Sequence, residues 1–398
     1  MRPHVSELLT VVQIASGDLY AGAEVQLYQL VRQLHRGGQC AVTVILMNSG
    51  ILETRLRGLG VTVHVLDESR LGGTRIFFET WRILRKIRPD VVHTHRRKEN
   101  VIGGVAAKLA CCKVLVQTVH GLPEEHRRSV SLARRAYAWL DRLSSRLLAV
   151  AVVAVSVELA SRLVFLDQSK IVIIENGIDV EALESAAAHV ELPPAQASCT
   201  RIALIGRFVP VKRVDLFIEI AQELVRRFPG RFAFYVFGDG PQDGEMRLLR
   251  QRLGLENDVH FMGFKEDLAS WLRLMDLVVI TSDHEGLPMT LLEAMVLEVP
   301  VVSHAVGGIP EVLGHGDFGI LVGQQDIAEY VAVITAALDN SQALRDRATG
   351  ARRQIESRYT AAACASKYLG LYRMLSGVRG GRGLAGNRPS RTQRQSRG

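Results

Sequence analysis

Cysteine is scarce and scattered. The five cysteines, at positions 40, 111, 112, 199 and 364, include no C-x-x-C pair, which argues against a disulfide framework and a zinc site and suits a reducing cytoplasm. Long apolar runs are also missing. The longest, Leu147 to Val155, is about half of a membrane span and reads as a buried parallel strand. The opening, MRPHVSELLTVVQIASG, has the apolar run of a signal peptide, but Glu7 precedes that run and Gln13 interrupts it. A first β-strand is the better reading. Acidic residues are absent from Gly377 to Gly398, where six arginines fall. The net charge of +8 therefore shrinks to 8 − 6 = +2 over the other 376 residues, which disfavours a nucleic-acid partner. That Gly-, Arg- and Ser-rich segment predicts a disordered basic tail over 377–398.

What remains is core-rich material. At 398 residues, 47% hydrophobic, the chain is too long for one ordinary core and predicts two domains. Short β-branched runs alternate with amphipathic helical patterns from LLTVVQIA through Gly22 to Leu34, AVTVILM, VTVHVL, DVVHTH and KVLVQTV. This is the rhythm of a doubly wound parallel α/β sheet, which binds ligands at the carboxyl ends of its strands. After the polar, Pro-containing ELPPAQASCT the rhythm restarts at RIALIGRF. The expected organisation is a Rossmann-like domain over 1–185, a second over 186–360, and a helix over 361–376 that packs back on the first domain. Two such domains leave a cleft.

The stretch Asp283 to Leu313 organises the second domain. Glu285 sits in a Gly-containing turn and Glu293 lies in MTLLEAM, whose apolar residues recur at helical spacing. Pro288 favours a helix start there. The backbone N–H groups of about residues 289 to 291 then lack intrahelical partners and form an anion site. A sugar nucleotide, with sugar, diphosphate and ribose in a row, suits amides flanked by two carboxylates.

Six segments in order resemble the retaining glycosyltransferases of family 4: Gly22-Ala23-Glu24, ENGID at 175–179, GRFVPVK at 206–212, FGDGP at 237–241, MGF at 262–264, and EGLPMTLLEAM with VPVVSHAVGGIPEVL after it. The match runs from Leu8 to about Leu375. It implies the GT-B fold, two Rossmann-like domains facing a cleft, and a donor that is a UDP-, GDP- or ADP-sugar. By the same resemblance Glu285 contacts the donor sugar, Glu293 binds the ribose hydroxyls, and His120, in QTVHG, reaches the sugar near the reacting carbon. Arg207 and Lys212 follow a glycine at a strand end and can stabilise the charge that grows on a departing diphosphate. Gly22, Gly206, Phe264, Asp267, Gly286, Leu287, Pro288, Met289, Thr290 and Leu291 complete the donor-binding set. Phe264 to Asp267 correspond to the base-binding segment.

The chain contains no D-x-D, the acidic motif with which many sugar transferases of the other major fold hold a divalent ion. No metal or other cofactor is expected, and Arg207, Lys212 and the helix mouth stand in its place. His93 and His95 share a strand face and read as a packed strand end. Between Arg127 and Arg146 six arginines surround Leu132, Tyr137 and Trp139. A helix there either docks on an anionic membrane or packs Leu140 and Leu143 into the sheet behind a solvated basic face. The resulting expectation is a retaining, metal-independent, cytoplasmic or peripheral glycosyltransferase acting on a glycan or lipid-linked acceptor. An epimerase of the same fold and a catalytically silent anion-binding scaffold are the alternatives.

Overall fold

The computed structural model describes residues 8–121, 132–185, 190–192 and 199–378. Two parallel sheets organise it. The first has seven strands, β1 (Leu9–Ala15), β2 (Cys40–Leu46), β3 (Thr62–Val65), β4 (Val91–Thr94), β5 (Val114–Val119), β6 (Ala151–Ala154) and β7 (Ile171–Ile173), in the order β3-β2-β1-β4-β5-β6-β7. The second has six strands, β8 (Thr200–Ile205), β9 (Phe232–Phe237), β10 (Val259–Gly263), β11 (Leu277–Ile280), β12 (Val301–His304) and β13 (Ile320–Val322), in the order β10-β9-β8-β11-β12-β13. The helices of the first part are α1 (Gly22–Arg36), α2 (Ile51–Gly58), α3 (Gly73–Ile87), α4 (Arg97–Leu109), α5 (Leu132–Leu147), α6 (Val157–Ser161) and α7 (Val180–Ser185). Those after it are α8 (Val214–Arg227), α9 (Asp243–Arg252), α10 (Leu268–Leu272), α11 (Met289–Val296), α12 (Ile309–Val312), α13 (Ile327–Asp339), α14 (Ser341–Arg358) and α15 (Ala361–Ser376).

The strands are β-branched and aromatic because both faces of each sheet are covered by helices. In β9 every residue of FAFYVF is buried. Separate apolar clusters line the two faces of the first sheet, and another lines one face of the second. A further cluster runs without a break from Val155, Leu159 and Ile178 to Leu287, Met289 and Ile309, so the two sheets share an apolar seam beneath the cleft. The chain returns to the first domain at its end. Ile178 and Thr360 form a parallel bridge, after which α15 lies along α1 and buries Cys364, Tyr368, Leu371 and Tyr372.

Two local expectations are corrected. The Leu147–Val155 run is not one strand: Leu147 ends α5 and is 66% exposed, because the Leu148 and Ala149 N–H groups both donate to Ser144 O and close the helix first. Only Ala151–Ala154 joins the sheet. Helix α5 also does not turn Leu140 inward. Its buried side chains include Ser144, which donates to Asn100 O at 2.7 Å, and Ser145, which donates to Gln117 Oε1 at 2.6 Å, while Trp139 is 61% and Leu140 39% exposed. Arg127, Arg128 and the tail from residue 379 lie outside the described residues.

Candidate functional site

In each sheet the strand order reverses beside a first strand, between β1 and β4 and between β8 and β11. The carboxyl ends of those strands are where a doubly wound sheet leaves a crevice. Both crevices open into one cleft of about 1520 Å³, lined by Gly22, His95, Arg96 and His120 from the first domain and Arg207, Lys212, Glu285 and Glu293 from the second.

Two helix N-termini meet in this cleft. Pro288 is the extended N-cap of α11, without a side-chain cap, so the first amides of that helix remain open to an anion. Gly22 opens α1 on the opposite side, and a Cβ built on it would stand 3.9 Å from Met289 Cγ. Partial positive charge from both helices therefore converges on one place. Gly286 brings the domains together. A Cβ there would lie 2.0 Å from His120 O and 3.0 Å from Val155 Cγ2, so only glycine permits this backbone approach. Asn176 Nδ2 donates to Leu287 O at 2.7 Å and secures the same seam.

Lys212 and Glu285 come from different turns. Lys212 ends the short 3₁₀ turn Pro210–Lys212 after β8, and its stem lies over Gly206, where a Cβ would be 3.4 Å from Lys212 Cδ. Its Nζ donates to Glu285 Oε1 at 2.6 Å. Ser282 Oγ donates to the same oxygen at 2.7 Å. Thr281 Oγ1, donating to Lys212 O at 2.9 Å, ties the two turns. Glu293, a turn further along α11, reaches the cleft; burial alone pushes its carboxyl up to about 7.

Of the remaining expected residues, Gly206, Arg207, Phe264, Asp267, Gly286, Leu287, Pro288, Met289 and Thr290 all line the cleft. Asp267 also caps α10 by accepting from Ser270 N and Ser270 Oγ. Leu291 is different: its side chain is fully buried in the core, leaving only its backbone for the helix mouth. His93 and His95 belong to a buried polar cluster. His93 Nδ1 is 2.6 Å from Tyr372 Oη and its Nε2 2.7 Å from Thr118 Oγ1. His95 Nε2 is 2.7 Å from Gln13 Oε1 and its Nδ1 3.2 Å from His120 Nε2. Burial lowers His93 and His120 to about 3 and His95 well below its usual value, so all three rings are neutral.

The first-domain wall was less legible in the sequence. Arg96 Nη2 pairs with the buried Glu24 Oε1 at 2.6 Å. Glu99, in the first turn of α4, lines the cleft with Oε2 lacking a hydrogen-bond partner among the described residues, and burial raises its carboxyl to about 7. The only signal was the polar run HTHRRKEN just after a strand.

Residues 20–182 match the family described as Glycosyltransferase Family 4, and residues 199–340 the family described as Glycosyl transferases group 1. The chain belongs to the group 1, family 4 glycosyltransferases. Over 302 residues this transferase is 26% identical to the UDP-Gal:alpha-D-GlcNAc-diphosphoundecaprenol alpha-1,3-galactosyltransferase of Escherichia coli, covering 73% of this chain and 76% of that one. It is 26% identical over 386 residues to the 2-deoxystreptamine N-acetyl-D-glucosaminyltransferase of Streptomyces fradiae, 87% of this chain and 89% of that one. Its fold is similar to that of Anabaena Alr3699/HepE in complex with UDP and glucose, with a TM-score of 0.79 at 20% identity over 92% of this chain and 100% of that one. The two facing parallel-sheet domains of the transferase are the GT-B fold.

Proposed function

We propose that this glycosyltransferase moves a sugar from a nucleoside-diphosphate donor to a glycan or lipid-linked acceptor in cell-surface polysaccharide or glycolipid assembly, with retention at the anomeric carbon and without a metal or other cofactor. The observation that carries the reading is the convergence of two helix N-termini, Lys212 and Arg207 on one interdomain cleft. When the sugar–phosphate bond breaks, its electron pair leaves on the diphosphate, and fixed positive groups around that point lower the barrier as a metal would. Arg207 and Lys212 take that part. Glu285 and His120 meet the sugar, and Glu293 accepts from the ribose hydroxyls. Phe264 to Asp267 meet the base. The relative from Escherichia coli, named for UDP-Gal and a diphosphoundecaprenol acceptor, supports UDP and a lipid-linked acceptor as the first candidates.

A lipid-linked acceptor calls for a membrane contact. No helix among the described residues is long and apolar enough to cross a membrane. Helix α5 instead presents exposed Trp139, Leu140 and Leu147 beside Arg135, Arg142 and Arg146, a pattern that supports peripheral docking on an anionic, cytoplasm-facing surface.

A thermal-shift series with UDP, GDP and ADP tests the donor, since a ligand at a hundred times its Kd stabilises by about 2.7 kcal/mol. UDP is expected to give the largest shift. Turnover with the preferred sugar nucleotide is expected to survive a strong chelator, and NMR of the product to show the donor's anomeric configuration. Activity lost in chelator and restored by magnesium or manganese would overturn the metal-free reading, and an inverted product the retaining one.

A further inference from the structure

Gln13 lies near the middle of β1, in a strand otherwise made of Leu, Thr, Val, Ile and Ala, and is fully buried. A buried amide needs partners for both its ends. Its Nε2 donates to Tyr372 Oη on α15 at 3.2 Å, and its Oε1 faces His95 Nε2 at 2.7 Å.

A carbonyl oxygen only accepts, so the single proton of the neutral His95 ring sits on Nε2. The bare Nδ1 of His95 must then accept from its neighbour 3.2 Å away, which is His120 Nε2. The proton of His120 is thereby on Nε2 and its Nδ1 carries a lone pair. That Nδ1 is buried and has no hydrogen-bond partner among the described residues, in a residue that lines the cleft. Buried polar atoms are rarely left so without a ligand or water to complete them. The other branch obeys the same logic. Tyr372 Oη, having accepted from Gln13, donates to His93 Nδ1 at 2.6 Å, His93 Nε2 donates to Thr118 Oγ1 at 2.7 Å, and the Tyr368 hydroxyl lies 3.0 Å from that oxygen. Rotating the Gln13 amide would reverse every proton and put an N–H at His120 Nδ1; in the orientation of the structure the amide N–H faces Tyr372 Oη and the amide oxygen faces His95.

We infer that Gln13 is a positioning residue for His120: acting through His95, it holds the His120 proton on Nε2 and leaves Nδ1 as an acceptor for a hydroxyl of the donor sugar. The inference rests on the reading that His120 meets that sugar. It also gives α15 a role in the site, because Tyr372 orients the amide from which the protons are set.

The test uses the full chain, labelled with ¹⁵N-histidine, and assigns the His120 resonances by comparison with His120→Gln. The wild type is expected to show His120 protonated at Nε2. Gln13→Leu and Tyr372→Phe are each expected to show a mixture of both tautomers and to lower kcat roughly tenfold, with donor KM within about twofold, since a misplaced proton weakens a contact used in the transition state. Gln13→Glu keeps an acceptor for His95 and is expected to keep the wild-type tautomer. Should Gln13→Leu fail to fold, Tyr372→Phe, which removes one oxygen, carries the comparison. A proton on His120 Nδ1 in the wild type, or a tautomer unmoved by either substitution, overturns the inference. A shifted tautomer with unchanged kcat upholds the relay and overturns the reading of His120 as a residue that meets the sugar.

Discussion

Lys212 Nζ donates to Glu285 Oε1 across 2.6 Å, so the cation assigned to the diphosphate and the carboxylate assigned to the sugar touch each other. The pair bridges the turn after β8 and the turn after β11, the two strands that flank the crevice of the second sheet. It therefore acts as one unit. Its partners are half-buried to nearly buried, at 23% and 10% side-chain exposure, which leaves each with limited access to water if the other is removed.

Coupling follows directly. Lys212→Ala is expected to lower kcat about 10²- to 10³-fold, the usual cost of one transition-state charge contact. Glu285→Ala should cost a similar factor. The double variant should lose clearly less than the product of the two, because groups in direct contact are not additive. A double-mutant cycle on kcat/KM checks this, and strict additivity would show that the ion pair is not kept during the reaction.

Glu293 sets a pH dependence. Its carboxyl is raised to about 7, and in the role proposed for it only the ionised form can accept from both ribose hydroxyls. As pH falls below about 7 the group takes up a proton, so donor KM should rise, by at most about tenfold per pH unit. Glu293→Gln should abolish this trend and Glu293→Ala should raise KM with less effect on kcat. Stability has the opposite slope: between its unfolded value of 4.5 and its folded value of about 7, the unfolded chain ionises while the folded one holds the proton. The contribution is full below 4.5 and is lost as pH rises through the folded value. Donor KM profiles and thermal melts from pH 5 to 8 on wild type and Glu293→Gln read both effects.

The seam at Gly286 makes a third test. A methyl group there would meet His120 O at 2.0 Å, a clash between backbones of two domains that no side-chain rotation relieves. Gly286→Ala should push the domains apart and cut turnover about 10²-fold, the scale expected of a displacement of roughly 1 Å. The two domains share an apolar seam at this point, so the melting midpoint should fall as well. Unchanged turnover would mean that the seam opens before the chemistry.

Docking can be separated from the tail. In a chain ending at residue 378, Arg135→Glu with Arg146→Glu should sharply reduce co-sedimentation with anionic vesicles, since each basic residue near the surface contributes about 1 kcal/mol. Trp139→Ala should weaken binding to the same vesicles. Binding unaffected by all three changes would exclude α5 as the docking face.

Much of this was legible before folding. The two-sheet rhythm follows from alternating β-branched runs and helical patterns, and the helix expected over Gly22 to Leu34 formed as α1, Gly22–Arg36, because its apolar stripe is local. The helix mouth at Pro288 was readable for the same reason, a proline and an apolar spacing adjacent in the chain. The strand expected at Leu147 failed because a hydrophobic run does not say where a helix ends; the Leu148 and Ala149 bonds to Ser144 O decided that. Leu140 and Trp139 face out because Ser144 and Ser145 found buried partners on Asn100 and Gln117, a choice among faces that depends on neighbours far along the sequence.

By itself the sequence determined the kind of protein: period, turn chemistry and the order of six segments place Arg207, Lys212, Glu285 and Glu293 at strand ends and a helix start, since those features depend only on nearby residues. Tertiary structure alone decided how they meet. The Lys212–Glu285 contact joins residues 73 positions apart, the Gly286 seam joins two domains, and Gln13 reaches Tyr372 across 359 positions. Such pairings arise from how two sheets and a returning helix pack, and no local pattern in the chain encodes the distance between side chains that packing brings together.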